Sequence, residues 1–256
     1  MCNLAILTNN YVDSADLSII TGTPNAQFPL ENIKEPFTTK VFRAGGNTIQ
    51  VLVDLTQTRT IDTFAITGNA LTGLGFTTVS IAGSGSTDFT SATEIPITVN
   101  SEYNFGFNFF TAVDYRFWRI TINTTTSGDI SNIYLGERKE LTENGISQSS
   151  LQYSVSDNST VSNNRYGQSF INTYNRIKTI SGEIQLCNNA EFELLEDIWT
   201  YHGRNRPVWF ILDPNGTSVT NGEYIFSMFC YIDDDFVWSN AGADLYNVSL
   251  SLRQVI

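Results

Sequence analysis

The residue types that carry most enzymatic chemistry are thinly spread along this chain. It has one histidine, His202, and three cysteines, Cys2, Cys187 and Cys230. Nucleophilic catalysis needs a hydroxyl or thiol beside a base. His202 stands at the end of a predicted helix next to Gly203, a place for capping or an interface rather than for proton transfer. Gly83-Ser-Gly85 is followed by no helical pattern and is not a nucleophile elbow. Gly45-Gly46 and Gly73-Leu-Gly75 lack the strand–loop–helix setting of a phosphate loop. Glycoside hydrolysis requires two carboxyls at a defined separation, and no Asp or Glu spacing singles out a pair. Asp233-Asp234-Asp235 lacks the spaced ligands of a calcium loop and reads as a solvated turn. A single histidine excludes a multi-His metal site, and the three cysteines suggest neither a zinc spacing nor a disulfide framework. Buried thiols packing as small hydrophobes are expected instead. The expectation is a protein without catalytic residues, metal or cofactor.

Two segments point to recognition. In Tyr103-Asn-Phe-Gly-Phe-Asn-Phe-Phe110, strand geometry would place Tyr103, Phe105, Phe107 and Phe109 on one face. Such a face can stack on sugar rings, or it can pack in a core or against a neighbouring subunit; the sequence leaves these alternatives open. The last segment alternates Tyr246, Val248, Leu250 and Leu252 with Asn247, Ser249, Ser251 and Arg253, so one face is buried. A strand that closes a chain can lie at a sheet edge, and this one has no Pro or Lys to blunt it. Tyr246, Val248, Leu250 and Leu252 are therefore the candidate assembly contact.

The elements that must position these residues are mostly strands. The 256 residues are 41% hydrophobic and 16% charged, enough apolar material for folded cores and enough length for two ordinary domains. Short apolar runs ending in Gly, Asn, Asp or Ser occur at 49–54, 61–67, 77–82, 95–99, 117–122 and 130–135. That spacing predicts a sandwich or jelly roll without helices. The polar, charge-dense stretch 137–148 is the expected linker or a structured connector, dividing the chain into domains 1–140 and 141–256. Beyond it, strands are expected at 151–155, 166–174, 177–186, 207–212, 224–232 and the C-terminus. One helix is expected after Asn188, with Asn188 and Glu191 as a capping box, Phe192, Leu195 and Trp199 on one face, and Gly203 as its stop. The second domain is thus an α+β unit with one helix packed on a β-sheet.

The net charge of −12, from 14 basic and 26 acidic residues, argues against direct binding of nucleic acid or anionic lipid. No segment approaches transmembrane length, and no secretory signal is visible at the start. The sequons at Asn123, Asn158, Asn215 and Asn247 are then chance matches.

Residues 14–137 resemble the discoidin domain, a galactose-binding-like jelly roll. The resemblance rests on Phe28-Pro-Leu-Glu-Asn-Ile-Lys-Glu-Pro-Phe-Thr-Thr-Lys-Val-Phe-Arg43, on Gln50-Val-Leu-Val-Asp-Leu55 followed by Arg59-Thr-Ile61, and on Val79-Ser-Ile-Ala-Gly-Ser-Gly-Ser-Thr-Asp-Phe89. Tyr115-Arg-Phe-Trp-Arg-Ile-Thr-Ile122 and Ile130-Ser-Asn-Ile-Tyr-Leu-Gly136 complete it. Phe42 stands where the early loop of the family carries Trp, Thr56 where Gly follows Asp-Leu, and the stapling disulfide of extracellular members is absent. The resemblance implies ligand loops at one end of the barrel, with Phe42 and Arg43 in one and Tyr103, Phe105 and Phe107 in another. The C-terminal part resembles distal-tail and tail-tube proteins of tailed bacteriophages, through residues 193–205, Pro207-Val-Trp-Phe-Ile-Leu-Asp-Pro214 and Tyr246-Asn-Val-Ser-Leu-Ser-Leu-Arg253. Together the resemblances imply a structural protein of the virion tail tip or baseplate, made in the host cytoplasm. It would form homo-oligomers of three-fold or six-fold symmetry, bind other phage tail proteins and touch host surface glycan or a fibre through its N-terminal domain. The alternative is a free carbohydrate-binding module protein, or accessory domains of a glycan-degrading enzyme.

Overall fold

The computed structural model describes residues 2–37, 39–68, 76–90, 92–100, 105–124, 128–146, 150–157, 159–163, 169–172, 176–212 and 227–255. The protein is mainly β, and the described residues hold one α-helix. Its contacts divide the described residues into two compact units, 5–139 and 2–4 with 140–255.

The chain begins with β1 (Cys2–Leu7). In the first unit follow β2 (Asp16–Pro24), β3 (Phe42–Thr67), β4 (Phe76–Ser84), β5 (Ile95–Asn100), β6 (Phe105–Thr124), β7 (Gly128–Ile130) and β8 (Asn132–Gly136). β2 to β8 form one antiparallel sheet, ordered β2-β3-β6-β4-β5 with β7 and β8 on β3. The sheet becomes a sandwich because β3 and β6 each serve both layers. Residues 48–54 of β3 pair with 117–123 of β6, and residues 63–67 pair with 105–109, with register shifts between. What the sequence presents as two strands, 49–54 and 61–67, is therefore one bent strand. The bend is pinned locally: Thr56 has φ of 64°, and Asp54 accepts from the Thr56 N–H at 2.8 Å and from the Arg116 fork at 2.7 and 2.9 Å. Period-two alternation sends Ile49, Val51 and Val53 inward to join Trp118, Ile120 and Ile122, all fully buried in the core.

The second unit contains β9 (Arg138–Ile146), β10 (Gln152–Asp157), β11 (Thr160–Asn163), β12 (Ser169–Asn172), β13 (Arg176–Cys187), α1 (Asn189–His202), β14 (Val208–Leu212), β15 (Met228–Ile232), β16 (Val237–Gly242) and β17 (Leu245–Gln254). The expected linker is thus a structured connector, since β9 runs through it. The eight-stranded sheet is ordered β10-β13-β9-β1-β14-β15-β17-β16, and an extra β13–β17 pairing closes its six inner strands into a ring. Among the described residues β11 and β12 pair only with each other. α1 starts as its sequence dictates. Asn188 Oδ1 accepts from the Glu191 N–H at 2.9 Å and Glu191 Oε2 accepts from the Asn188 N–H at 3.3 Å, a complete capping box. Leu195 and Ile198 are buried, and Phe192 stacks on Tyr246 of β17, centroids 4.4 Å apart. No described helix is long and apolar enough to cross a membrane.

Candidate functional site

Strand alternation separates the two adjacent residues expected in one ligand loop. In β3, Phe42 opposes Ile130 and Arg43 opposes Asp129. Phe42 is fully buried in the hydrophobic core, so the expectation that it contacts ligand is corrected. Arg43 points the other way. Its Nε and Nη2 donate to Asp129 at 2.5 and 2.7 Å, and its guanidinium carbon lies 4.3 Å from the centroid of the Phe28 ring. The hydrogen bonds to Asp129 raise the guanidinium above its ordinary proton affinity, opposed by desolvation and aided by charge attraction. The Arg43 side chain is 32% exposed and that of Asp129 13%. This is a fork held by charge and by an aromatic face, open on one side.

The loop before β3 completes the arrangement. The Arg43 N–H donates to the Phe28 carbonyl at 3.2 Å, Asn32 Nδ2 to the Val41 carbonyl at 2.7 Å, and Asn132 Nδ2 to the Glu35 carbonyl at 3.0 Å. Between these ties the loop displays Phe37, which is 44% exposed. The Lys40 ammonium lies 5.9 Å from the Phe37 ring centroid and 3.2 Å from the Glu35 carboxylate. The loop therefore presents an open aromatic ring, an ammonium and the guanidinium–carboxylate fork on a backbone fixed by hydrogen bonds. The sequence resemblance singles out Phe42 and Arg43 in this loop but not Phe28, Phe37 or Lys40, nor Asp129 opposite it. An aromatic inside a turn-dense loop was the visible signal for Phe37; the Arg43–Asp129 pairing spans 86 positions and leaves no local trace.

The aromatic segment behaves differently. Tyr103 lies outside the described residues. Phe105 and Phe107 are 3% and 7% exposed, and their rings form a row with Phe109, centroids 5.6 and 5.3 Å apart. Arg138 covers Phe109 at 4.8 Å. Phe105 and Phe107 are thus packed within the protein and are not an open ligand platform. The row does not join the core under Phe42; Phe110 packs there instead.

The terminal strand is likewise not at an edge. β17 pairs with β13, with β15 and with β16. Val248 and Leu252 are 2% and 1% exposed, Leu250 is half-buried, and Tyr246 is stacked on the helix. The face expected to make the assembly contact is occupied by the unit's own core and helix. Among the described residues the sheet ends instead at β10 and β16, both exposed along their whole length.

Among the described residues, no group of three or more His, Cys, Asp or Glu could hold a metal ion. Cys187 and Cys230 are free and buried as expected, and burial pushes the Cys187 thiol up to about 11. His202 is 6% exposed, with the backbone of Arg206 and Pro207 beside its ring.

No family model and no curated protein matches the chain. Among solved structures it is similar to a GH29 fucosidase of Ruminococcus gnavus in complex with fucose, at 15% identity and a TM-score of 0.42. That likeness covers 51% of this chain and 27% of the fucosidase chain. It is also similar to a CBM32 module of a GH89 protein produced by Clostridium perfringens, at 18% identity and a TM-score of 0.41, over 50% of this chain and 99% of the module. A third likeness is to the lectin domain of lectinolysin complexed with Lewis B antigen, at 12% identity and a TM-score of 0.42, over 50% and 96%.

Proposed function

We propose that the chain is a non-catalytic glycan-binding protein whose N-terminal sandwich holds its ligand at the loop bearing Phe37, Lys40 and the Arg43–Asp129 fork. One observation carries this reading: the loop that runs into the preorganised Arg43–Asp129 pair also displays an exposed aromatic ring, Phe37, with the Lys40 ammonium 5.9 Å from its centroid. A sugar ring offers an apolar C–H face, which stacks on Phe37, and vicinal hydroxyls. Those hydroxyls donate to the remaining lone pairs of Asp129 and accept from Lys40 and the guanidinium. The ties at Phe28, Asn32 and Asn132 lower the ordering cost of binding. The test is calorimetric titration of the full chain with neutral and acidic oligosaccharides, repeated with Phe37→Ala and Arg43→Ala. A ligand whose affinity falls at least tenfold in both variants supports the proposal. No binding at millimolar sugar, or binding that both variants preserve, overturns it.

A second reading, assembly into a phage tail tip through the C-terminal unit, is favoured by the two exposed terminal strands, β10 and β16. A sheet with two open ends can be extended by other tail proteins or by further copies of the chain. Mass photometry of the full chain tests the homo-oligomeric version. Three-fold or six-fold particles support it, and monomers alone up to micromolar concentration count against it.

A further inference from the structure

Outside its core, the C-terminal unit carries five aromatic rings in one connected cluster. Phe192 stacks on Tyr246 at 4.4 Å and meets Trp238 edge-on at 5.4 Å and Phe236 at 5.6 Å. Trp238 also meets Tyr246 edge-on at 5.6 Å, and Phe236 reaches Trp199 at 6.3 Å. Trp238 is nevertheless 50% exposed and its neighbour Val237 54%. A tryptophan braced by two rings and half open to water has already lost its rotamer freedom, so it can anchor a partner at low entropic cost.

The strand that carries it is equally open. Among the described residues β16 pairs only with β17, every β16 residue is exposed, and no other described strand pairs with its outer edge. Val237-Trp-Ser-Asn-Ala-Gly242 contains no Pro, no Lys and no other charge, the devices that normally blunt such an edge. The bulge between Asn240 and Gly242 confines the regular edge to residues 237–240. Charge identifies the occupant. Asp234 and Asp244 bracket β16, and both are exposed. The nearby cations are taken: Arg204 pairs with Asp235 at 3.0 Å and Arg253 with Asp233 at 2.9 Å.

We propose that β16 and the Trp238 ring form a docking site for an extended, basic segment of a different protein. The segment adds to the sheet as a strand, lays an aliphatic side chain on Trp238, and brings Lys or Arg to Asp234 and Asp244 at the two ends of the edge. A second copy fits poorly. The chain carries a net charge of −12, and its other open strand, Gln152–Asp157, offers an acidic residue and no basic one.

The test uses the full-length protein and three capped hexapeptides. The first alternates Lys and Val, the second alternates Glu and Val, and the third is the Lys peptide with Pro at the central Val. Amide and indole chemical shifts report the site. The expected result is that only the first peptide shifts residues 237–240 and the Trp238 indole, and that its affinity drops at least tenfold in Trp238→Ala and in Val237→Lys. Val237→Lys changes only an exposed side chain, so it remains informative if Trp238→Ala loosens the cluster. Equal binding of the Pro peptide, affinity unchanged in both variants, or no shift with any peptide overturns the proposal. It is also overturned if the same amides shift with protein concentration alone, which assigns the edge to a second copy. Shifts produced by soluble oligosaccharides would assign the ring to glycan, with the same consequence.

Discussion

The Arg43–Asp129 fork can be weighed by a double-mutant cycle, with Arg43→Ala, Asp129→Asn and their combination. Fully exposed ion pairs contribute about 0.2–1 kcal/mol, and breaking a fully buried pair costs about 3–5 kcal/mol. Here the carboxylate is 13% exposed and the guanidinium 32%, with two short hydrogen bonds in parallel, so the pair lies between these limits, and the water that reaches the guanidinium screens its charge. A coupling of about 1 kcal/mol is expected on that scale. Arg43→Ala also removes the contact with Phe28, of order 0.5–1 kcal/mol, and leaves Asp129 without its cation, for a single-variant cost of about 2 kcal/mol. Asp129→Asn leaves a guanidinium that water reaches and should cost about 1 kcal/mol, so the double variant should also cost about 2 kcal/mol if the energies cycle. The assay is urea unfolding followed by amide NMR signals of β3, which report the N-terminal unit alone. A coupling below about 0.3 kcal/mol, the usual additivity error, refutes a formed fork. An Arg43→Ala cost above about 4 kcal/mol refutes the reasoning in the other direction, because it makes the pair a structural staple of buried strength.

Two further outcomes follow from the packing. Phe42→Ala should destabilise the N-terminal unit by about 3–5 kcal/mol, measured by the same unfolding assay; a stable variant that merely loses glycan would restore Phe42 to the ligand site. His202 should make the C-terminal unit acid-sensitive. Burial, with Arg206 nearby, holds its folded pKa below the ordinary 6.5, so the unfolded chain takes up the proton first. The stability is present above pH 6.5 and is lost as pH falls through the lower folded value. His202→Leu should flatten the slope of stability between pH 7.5 and 5.5, and an unchanged slope would show that other groups set it.

What the sequence by itself determined is whatever local chemistry decides. Asn188, Glu191 and Gly203 specify where α1 starts and stops because capping groups lie within four residues of the backbone they satisfy. Ile49, Val51 and Val53 declare a buried strand face because the period of two is a property of the chain itself. The same alternation separates Phe42 from Arg43, and only the register opposite Ile130 and Asp129 shows which of the two faces the core. Tertiary structure alone decided the rest. The terminal strand's alternation announces one buried face but says nothing about how many neighbours flank it. Pairing with β13, β15 and β16 is set by hydrogen bonds to residues far away in sequence. β1 enters the eight-stranded sheet beside β9 and β14, and its opening residues, Cys2-Asn-Leu-Ala, name no such partner. The exposure of Trp238, the closure of Phe105 and Phe107, and the meeting of Arg43 with Asp129 all depend on which surfaces the finished fold leaves uncovered. No window of sequence contains that, because burial is a property of the assembled layers rather than of any segment within them.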